Sequence, residues 1–132
     1  MKTSLILFTS LSIILFFGYA STAEASSRTL LGQQNVADRA DYDVFQVGPR
    51  QGAFNALQVK AEGAPVEIKR IKIFFTNGSV QSIEKNVFLG PGSWSGFTDL
   101  KGSNRLINRV VFYYQAHSPG WKSAQLKLFG LR

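Results

Sequence analysis

The chain has 132 residues, and its 15 lysine and arginine residues against 8 aspartate and glutamate residues give a formal net charge of +7 at pH 7. It contains no cysteine, which excludes disulfide bonds, thiol catalysis and zinc–thiolate sites, and its single histidine excludes a histidine metal cluster within one chain. A positive charge of this size favours anionic partners such as cell-envelope polymers, acidic polysaccharides, lipid headgroups or nucleic acid, although it also serves solubility alone.

The first 25 residues have the pattern of a cleaved signal peptide. Lys2 supplies a basic start, an apolar stretch covers residues 5–20, and Ala23-Glu24-Ala25 gives the small-x-small pattern that signal peptidase accepts. We therefore predict cleavage after Ala25 and a periplasmic or secreted protein, with a retained membrane anchor as the alternative. No second stretch is long and apolar enough to span a bilayer, and the secretory address disfavours nucleic acid as a partner.

Residues 26–132 are predicted to form a single all-β domain, an antiparallel β-sandwich of jelly-roll type. Short runs rich in β-branched and aromatic residues alternate with clusters of Gly, Pro, Asn and Ser, and no convincing helical period is present. Aromatic side chains must build much of a core that no disulfide supports. In chain order, the eight predicted strands cover residues 30–36, 42–47, 54–61, 66–75, 79–89, 94–100, 107–116 and 122–129.

Two local features are predicted along these strands. Between the fourth and fifth strands, Asn77-Gly78 favours a β-hairpin with a type I′ turn, in which both residues have positive φ. Within the fourth strand, the apolar side chains change parity, which predicts a β-bulge near Lys69 and Arg70.

Side-chain alternation assigns an inner and an outer side to each strand. The side chains predicted to face the core in the fourth, seventh and eighth strands are Ile71, Ile73, Phe75, Val110, Phe112, Tyr114, Ala124, Leu126 and Leu128. The same count turns Arg109 and Tyr113 outward in the seventh strand. If the fourth and eighth strands are neighbours, their outer sides form one basic and aromatic surface that includes Lys72 and Lys127.

Two tryptophans indicate ligand binding most directly. Trp94 and Trp121 each lie close to a glycine near a predicted strand end, where an indole is partly exposed and can stack against a sugar ring. The alternative is that each indole caps one end of the core, as is common in small sandwiches. Together with the outward residues, the candidate ligand-binding set is Trp94, Trp121, Arg109, Tyr113, Lys72 and Lys127.

One acidic cluster has the donor type that calcium prefers. Asp38, Asp41 and Asp43 place three carboxylates close together in sequence. Their spacing does not match the EF-hand pattern, and a polar connection ahead of a strand explains them equally well. We expect no bound metal and no cofactor, and these three aspartates are the candidates if calcium does bind.

Groups suited to catalysis are few. His117 lies in a turn-like stretch, and no Gly-x-Ser-x-Gly motif accompanies it, so we interpret it as a solvated loop histidine. Glycoside hydrolysis would need two carboxylates at a set separation, drawn from Asp99, Glu67, Glu84 and Glu62. Arg105 and Arg109 are suited to binding carboxylate or phosphate, or else to pairing with Asp99 and Glu84. We therefore expect no enzymatic activity.

The carboxyl-terminal strands resemble those of small secreted bacterial proteins of an uncharacterised family. The similarity is carried by residues 105–114 and 124–130, by the early Leu30-Leu31-Gly32 and by the central Lys69-Arg70-Ile71. It implies a fold and a secretory address, and no activity. The Leu-x-Leu-x-Gly ending is also similar to the last strand of discoidin-type and carbohydrate-binding jelly rolls, from which no binding residue carries over.

These features favour a non-enzymatic, periplasmic or secreted protein that binds an anionic or carbohydrate component of the cell envelope, such as a polysaccharide or another anionic polymer. The hypothesis rests on the net charge, the outward basic and aromatic side chains and the shortage of catalytic groups. Two alternatives stay open. The protein is a structural or protein-interaction module that acts through its outer sheet face, or it is a hydrolase of envelope polymers.

Overall fold

Alternating apolar and polar residues form short antiparallel strands throughout the computed structural model, which describes residues 28–36, 41–117 and 123–132. The predicted signal peptide (1–25), Asp38 and Trp121 lie outside these described residues. Within them, no helix is long and apolar enough to cross a membrane. The strands are β1 (Arg28–Val36), β2 (Asp41–Gln46), β3 (Ala53–Phe54), β4 (Ala56–Glu62), β5 (Val66–Phe75), β6 (Val80–Leu89), β7 (Thr98–Asp99), β8 (Arg105–Ala116) and β9 (Ala124–Leu131).

The strands form two antiparallel sheets, one in the order β1-β9-β4-β7 and one in the order β2-β8-β5-β6, with the short β3 pairing with β8. Apart from β3, the first strand pairs with the last (β1 with β9) and the second with the second-last (β2 with β8). The same nesting continues with β4 and β7 and closes at the β5–β6 hairpin. Strands nested in this way around one central hairpin form a jelly roll, which is the fold that the sequence predicts.

The core lies between the inner sides of the two sheets. All nine side chains predicted to face inward are buried, with Phe112 of β8 and Ile73 of β5 among those that are fully enclosed. Phe54 fills the space beneath β9, and a Cβ atom at Gly130 would lie 2.6 Å from its ring. Gly130 is therefore needed for close packing, which explains why the last strand ends in Leu-x-Leu-x-Gly.

The β5–β6 hairpin confirms one prediction and corrects another. The strands pair as predicted, with Phe74 opposite Val80, but only Gly78 has positive φ (93°) in the turn. Asn77 stays in the ordinary region, so the turn is not type I′. Its Oδ1 atom accepts a hydrogen bond from the backbone N–H of Ser79 at 3.0 Å, which fixes a longer loop that ends in a left-handed glycine.

The other predicted strands are present, with changes to two of them. The predicted bulge is present, since the register of β5 shifts between Ile68 and Arg70 against both neighbours. The predicted strand over residues 54–61 is divided at Asn55, where the chain crosses from one sheet to the other. The predicted strand over residues 94–100 is reduced to β7 and an isolated bridge between Trp94 and Lys60.

Candidate functional site

The structure places the predicted ligand-binding residues that it describes, which are all of them except Trp121, on two opposite sides of the sandwich. Because β5 and β9 belong to different sheets, Lys72 and Lys127 do not share a surface. Trp94 and Lys127 lie on the outer side of the β1-β9-β4-β7 sheet, which we call the Trp94 face (Arg28, Lys60, Glu62, Trp94, Lys127 and Phe129). Lys72, Arg109 and Tyr113 lie on the outer side of the other sheet, which we call the Arg109 face (Tyr42, Arg70, Lys72, Phe74, Val80, Glu84, Phe88, Arg109 and Tyr113).

Trp94 is held in place by backbone bonds to the edge of β4. The N–H of Ser95 donates to the carbonyl of Val59 at 2.7 Å, and the N–H of Ala61 donates to the carbonyl of Ser93 at 3.0 Å. These two bonds join the residues on either side of Trp94 to Val59 and Ala61 of β4. The chain therefore presents the indole from a position set by the sheet, although no regular strand forms there.

A buried side-chain contact strengthens this attachment. The Oγ atom of Ser95 accepts a hydrogen bond from the N–H of Val59 at 2.9 Å, and the Nε2 atom of Gln58 donates to the carbonyl of Ser95 at 3.0 Å. Gln58 is only 7% exposed although it lies on the outer side of β4. Its Oε1 atom is buried and has no hydrogen-bond partner within the described part of the chain.

The indole of Trp94 extends across β4 to the next strand. Its ring centroid lies 5.0 Å from that of Phe129 on β9, which is the partner of Gln58 in register. The guanidinium carbon of Arg28 on β1 lies 4.3 Å from the ring centroid, and the Nζ atom of Lys60 lies 5.2 Å from it. Trp94 is nevertheless 38% exposed. The result is an aromatic platform with two cations over the indole ring.

Part of the charge around this platform is neutralised within the face. Glu62 pairs with Lys60 at 3.2 Å through one carboxylate oxygen and with Lys127 at 3.3 Å through the other. The hydrogen bond from Lys60, followed by that from Lys127, lowers the pKa of Glu62 below its ordinary value of 4.5. Arg28 is the cation of the Trp94 face that has no acidic partner among the described residues.

The Arg109 face carries cations of a different kind. The register places Phe74 opposite Arg109 and Lys72 opposite Val111, so Lys72 and Arg109 are diagonal neighbours on adjacent strands. The guanidinium carbon of Arg109 lies 3.9 Å from the centroid of the Phe74 ring. Neither Lys72 nor Arg109 has an acidic partner in the parts of the chain that the structure describes.

Tyr113 lies beside these cations in the adjoining row. Its ring centroid is 5.9 Å from that of Tyr42 and 5.8 Å from the guanidinium carbon of Arg70, which in turn forms a salt bridge with Glu84. Glu84 is thus matched to Arg70, and the predicted pairing of Arg105 or Arg109 with Glu84 or Asp99 does not form. Arg105 instead covers the ring of Phe75 and donates to the Oγ atom of Ser79 at 2.9 Å.

His117 is exposed at the end of β8, as its interpretation as a loop residue predicts. Its Nε2 atom lies 3.2 Å from Oε1 of Glu67, whose other carboxylate oxygen accepts a hydrogen bond from Lys69 at 2.9 Å. The bond from Lys69, followed by that from His117, lowers the pKa of Glu67. His117 and Glu67 therefore belong to a surface ion-pair cluster.

The three aspartates considered for calcium do not form a site that can be described. Asp38 lies outside the described residues, and for Asp41 only the backbone in β2 is described. Asp43 accepts a hydrogen bond from the hydroxyl of Tyr114 at 2.9 Å. Within the described ranges, no group of three or more His, Cys, Asp and Glu side chains is arranged to hold a metal ion.

The sequence did not single out Arg28, Lys60 or Phe129, although all three contact Trp94. Phe129 follows the inward-facing Leu128 in β9, and this alternation is a signal sufficient to place it on a surface. Arg28 and Lys60 carried no such signal, because their proximity to Trp94 depends on which strands are neighbours. The order β1-β9-β4 brings them together.

Comparison with known proteins supports the resemblance seen in the sequence. No curated protein and no solved structure matches the chain. A family model described as "Domain of unknown function (DUF2541)" matches residues 7–130, which run from the amino-terminal region through β1 and into β9. The match to an uncharacterised family is thereby confirmed. The chain belongs to the DUF2541 family.

Proposed function

We propose that this protein is a non-enzymatic binding protein of the periplasm or the extracellular space, and that its Trp94 face binds a carbohydrate component of the cell envelope. The observation that carries the proposal is the partly exposed indole of Trp94, which the chain holds across β4 beside Phe129. Aromatic platforms of this kind stack against the apolar side of a sugar ring, while polar groups around them fix its orientation.

Polar groups suited to that second task surround the platform. Arg28 and Lys60 lie within 5.2 Å of the indole centroid and present donors to ring hydroxyl or carboxylate groups. Glu62 offers acceptor oxygens beside Lys60 and Lys127. Because this carboxylate offsets part of the charge of the two lysines, the attraction of the face for simple anions is reduced, and stacking gains in importance.

The arrangement of the carboxylates favours binding over hydrolysis. Glu62, Glu67 and Glu84 are each held in a salt bridge, and the lowered pKa of Glu62 and of Glu67 makes these two unsuited to act as a general acid. Glu62 and Glu84 moreover lie on opposite outer sides of the sandwich, so they cannot flank one glycosidic bond. Asp99, the remaining candidate, then has no partner of suitable chemistry beside it on β7.

The test is glycan binding by wild-type protein and by Trp94→Ala, measured on envelope polysaccharides and their fragments. We expect Trp94→Ala to weaken binding about 30-fold, because a buried aromatic anchor contributes about 2 kcal/mol. Leu106→Ala is the matched control, since Leu106 is also an exposed apolar residue but lies on β8 in the other sheet.

Two results would overturn the proposal. One is binding that Trp94→Ala and Leu106→Ala leave equally unchanged, since Trp94 would then make no contribution to binding. The other is shortening of the polysaccharide during the assay, abolished by Asp99→Asn, which would show a hydrolase.

A further inference from the structure

The Arg109 face has two cations without an acidic partner among the described residues, whereas the Trp94 face has one, Arg28. Lys72 and Arg109 sit on its two central strands, β5 and β8, without acidic partners among the residues described. The acids of this side of the sandwich, Glu84 and Glu67, are already matched to Arg70 and Lys69. The middle of the face therefore has an excess of positive charge that is complementary to an anionic surface.

Exposed apolar side chains lie on the two edge strands of the same face. Tyr42 on the outermost strand β2 is 56% exposed, and Val80 and Phe88 on the opposite edge strand β6 are 50% and 59% exposed. All three occupy outward-facing positions of their strands. Val80 lies opposite Phe74, which in turn lies opposite Arg109. The face thus presents cations on its central strands and apolar groups on its two edge strands.

This combination distinguishes between possible occupants. A soluble polyanion would satisfy Lys72 and Arg109 but would gain nothing from Val80 and Phe88. A second copy of the chain, docked about a twofold axis, would bring the central cations of the two faces together. A bilayer surface satisfies both features, since phosphate headgroups meet the cations while apolar side chains enter the boundary with the acyl chains.

We propose that the Arg109 face binds the surface of a bilayer that contains anionic phospholipids, as a peripheral contact without insertion of a strand or helix. The face lies on the side of the sandwich opposite Trp94, so this contact is independent of the proposed carbohydrate binding. Lys72 and Arg109 contact headgroup phosphates, and Val80 and Phe88 contact the acyl boundary. The net charge of +7 adds long-range attraction to the same surface.

The test is co-sedimentation of the protein with vesicles of phosphatidylcholine alone and of phosphatidylcholine mixed with phosphatidylglycerol. We expect binding to the mixed vesicles only, and a loss of about fivefold in affinity for each of Lys72→Gln and Arg109→Gln, which is the usual contribution of one cation at an anionic membrane. The control is Arg50→Gln with Lys101→Gln, which removes the same charge as Lys72→Gln and Arg109→Gln together, from exposed residues outside the strands.

A second variant separates a membrane from other anions. Val80→Ser with Phe88→Ser keeps every charge, and we expect it to weaken vesicle binding while leaving the slope of affinity against salt unchanged. Each variant is compared with wild-type protein by far-ultraviolet circular dichroism to confirm that it is folded.

Three results would overturn the proposal. Equal losses in the face variants and the turn control would mean that net charge alone drives binding. Unchanged vesicle binding by Val80→Ser with Phe88→Ser, together with tight binding of soluble polyphosphate through Lys72 and Arg109, would identify a soluble polyanion as the partner. Sedimentation showing a dimer that Arg109→Gln dissociates would identify a second copy.

Discussion

The two outer faces of the sandwich use the same kinds of side chain and arrange their charges differently. On the Trp94 face, one carboxylate, Glu62, bridges Lys60 and Lys127 beside an aromatic platform. On the Arg109 face, Glu84 is matched to Arg70, while Lys72 and Arg109 have no acidic partner among the described residues. Both faces are basic and aromatic by composition, yet the Arg109 face has two cations without an acidic partner among the described residues and the Trp94 face has one, Arg28.

This comparison teaches that the ligand class follows from pairing rather than from composition. A cation that already has a carboxylate within salt-bridge distance adds little attraction for another anion. A cation without such a partner still attracts an anion, even when it lies beside an aromatic ring. We therefore expect stacking to dominate at Trp94 and electrostatics to dominate at Arg109.

The largest effect should come from removing the support that both faces share. Phe112 is fully buried between the two sheets, and Phe112→Ala should lower the free energy of unfolding by about 3–5 kcal/mol, since the cavity cannot be filled. Urea denaturation followed by tryptophan fluorescence gives this value. Leu106→Ala, at an exposed site, should cost less than about 1 kcal/mol; equal losses would contradict the assignment of the core.

A smaller change should affect one face only. Ser95→Ala removes the acceptor for the N–H of Val59 and leaves that donor buried, at a cost of about 1–3 kcal/mol in unfolding free energy. It should also loosen the attachment of Trp94 and weaken carbohydrate binding, without changing vesicle binding.

Ser82→Ala is the matched control for this substitution, because Ser82 is an exposed serine on β6 of the other sheet. We expect its unfolding free energy and its carbohydrate binding to equal those of wild-type protein. If Ser95→Ala behaves in the same way, the bond to Val59 does not position Trp94.

The smallest effect concerns Glu62 and pH. Its folded pKa lies below the ordinary value of 4.5, so its contribution to stability is complete above that value and is lost as pH falls through the lower folded pKa. Glu62→Gln should therefore flatten the acid side of the stability curve, as measured by urea denaturation over a series of pH values.

The same substitution also sharpens the comparison between the faces. Glu62→Gln frees Lys60 and Lys127, so the Trp94 face should gain affinity for anionic polymers and a steeper dependence on salt. An unchanged salt dependence would show that pairing by Glu62 does not set the charge of this face.

Much of the fold could be predicted because its signals are local. Alternation identified the buried side of β8, from Val110 to Tyr114, and a change of parity located the bulge at Lys69 and Arg70. Asn77-Gly78 identified the hairpin but not the turn type, since the hydrogen bond from Ser79 to the Asn77 side chain selects a longer loop.

The composition of each face could not be predicted, because it depends on which strands are neighbours. Lys72 and Lys127 have the same outward parity, but the jelly roll assigns β5 and β9 to different sheets. The same long-range pairing brings Arg28 to Trp94 across residues that are far apart in the chain. Neither the sheet to which each strand belongs nor the contact of Arg28 with Trp94 can be read from a local sequence pattern.

The most direct test of the two-face account is a crossed binding experiment. Trp94→Ala and the double variant Lys72→Gln with Arg109→Gln are each measured against an envelope polysaccharide and against vesicles containing phosphatidylglycerol. The account predicts that Trp94→Ala loses only carbohydrate binding and that the double variant loses only vesicle binding. Loss of both activities in either variant, with the fold intact, would contradict the separation of the two faces.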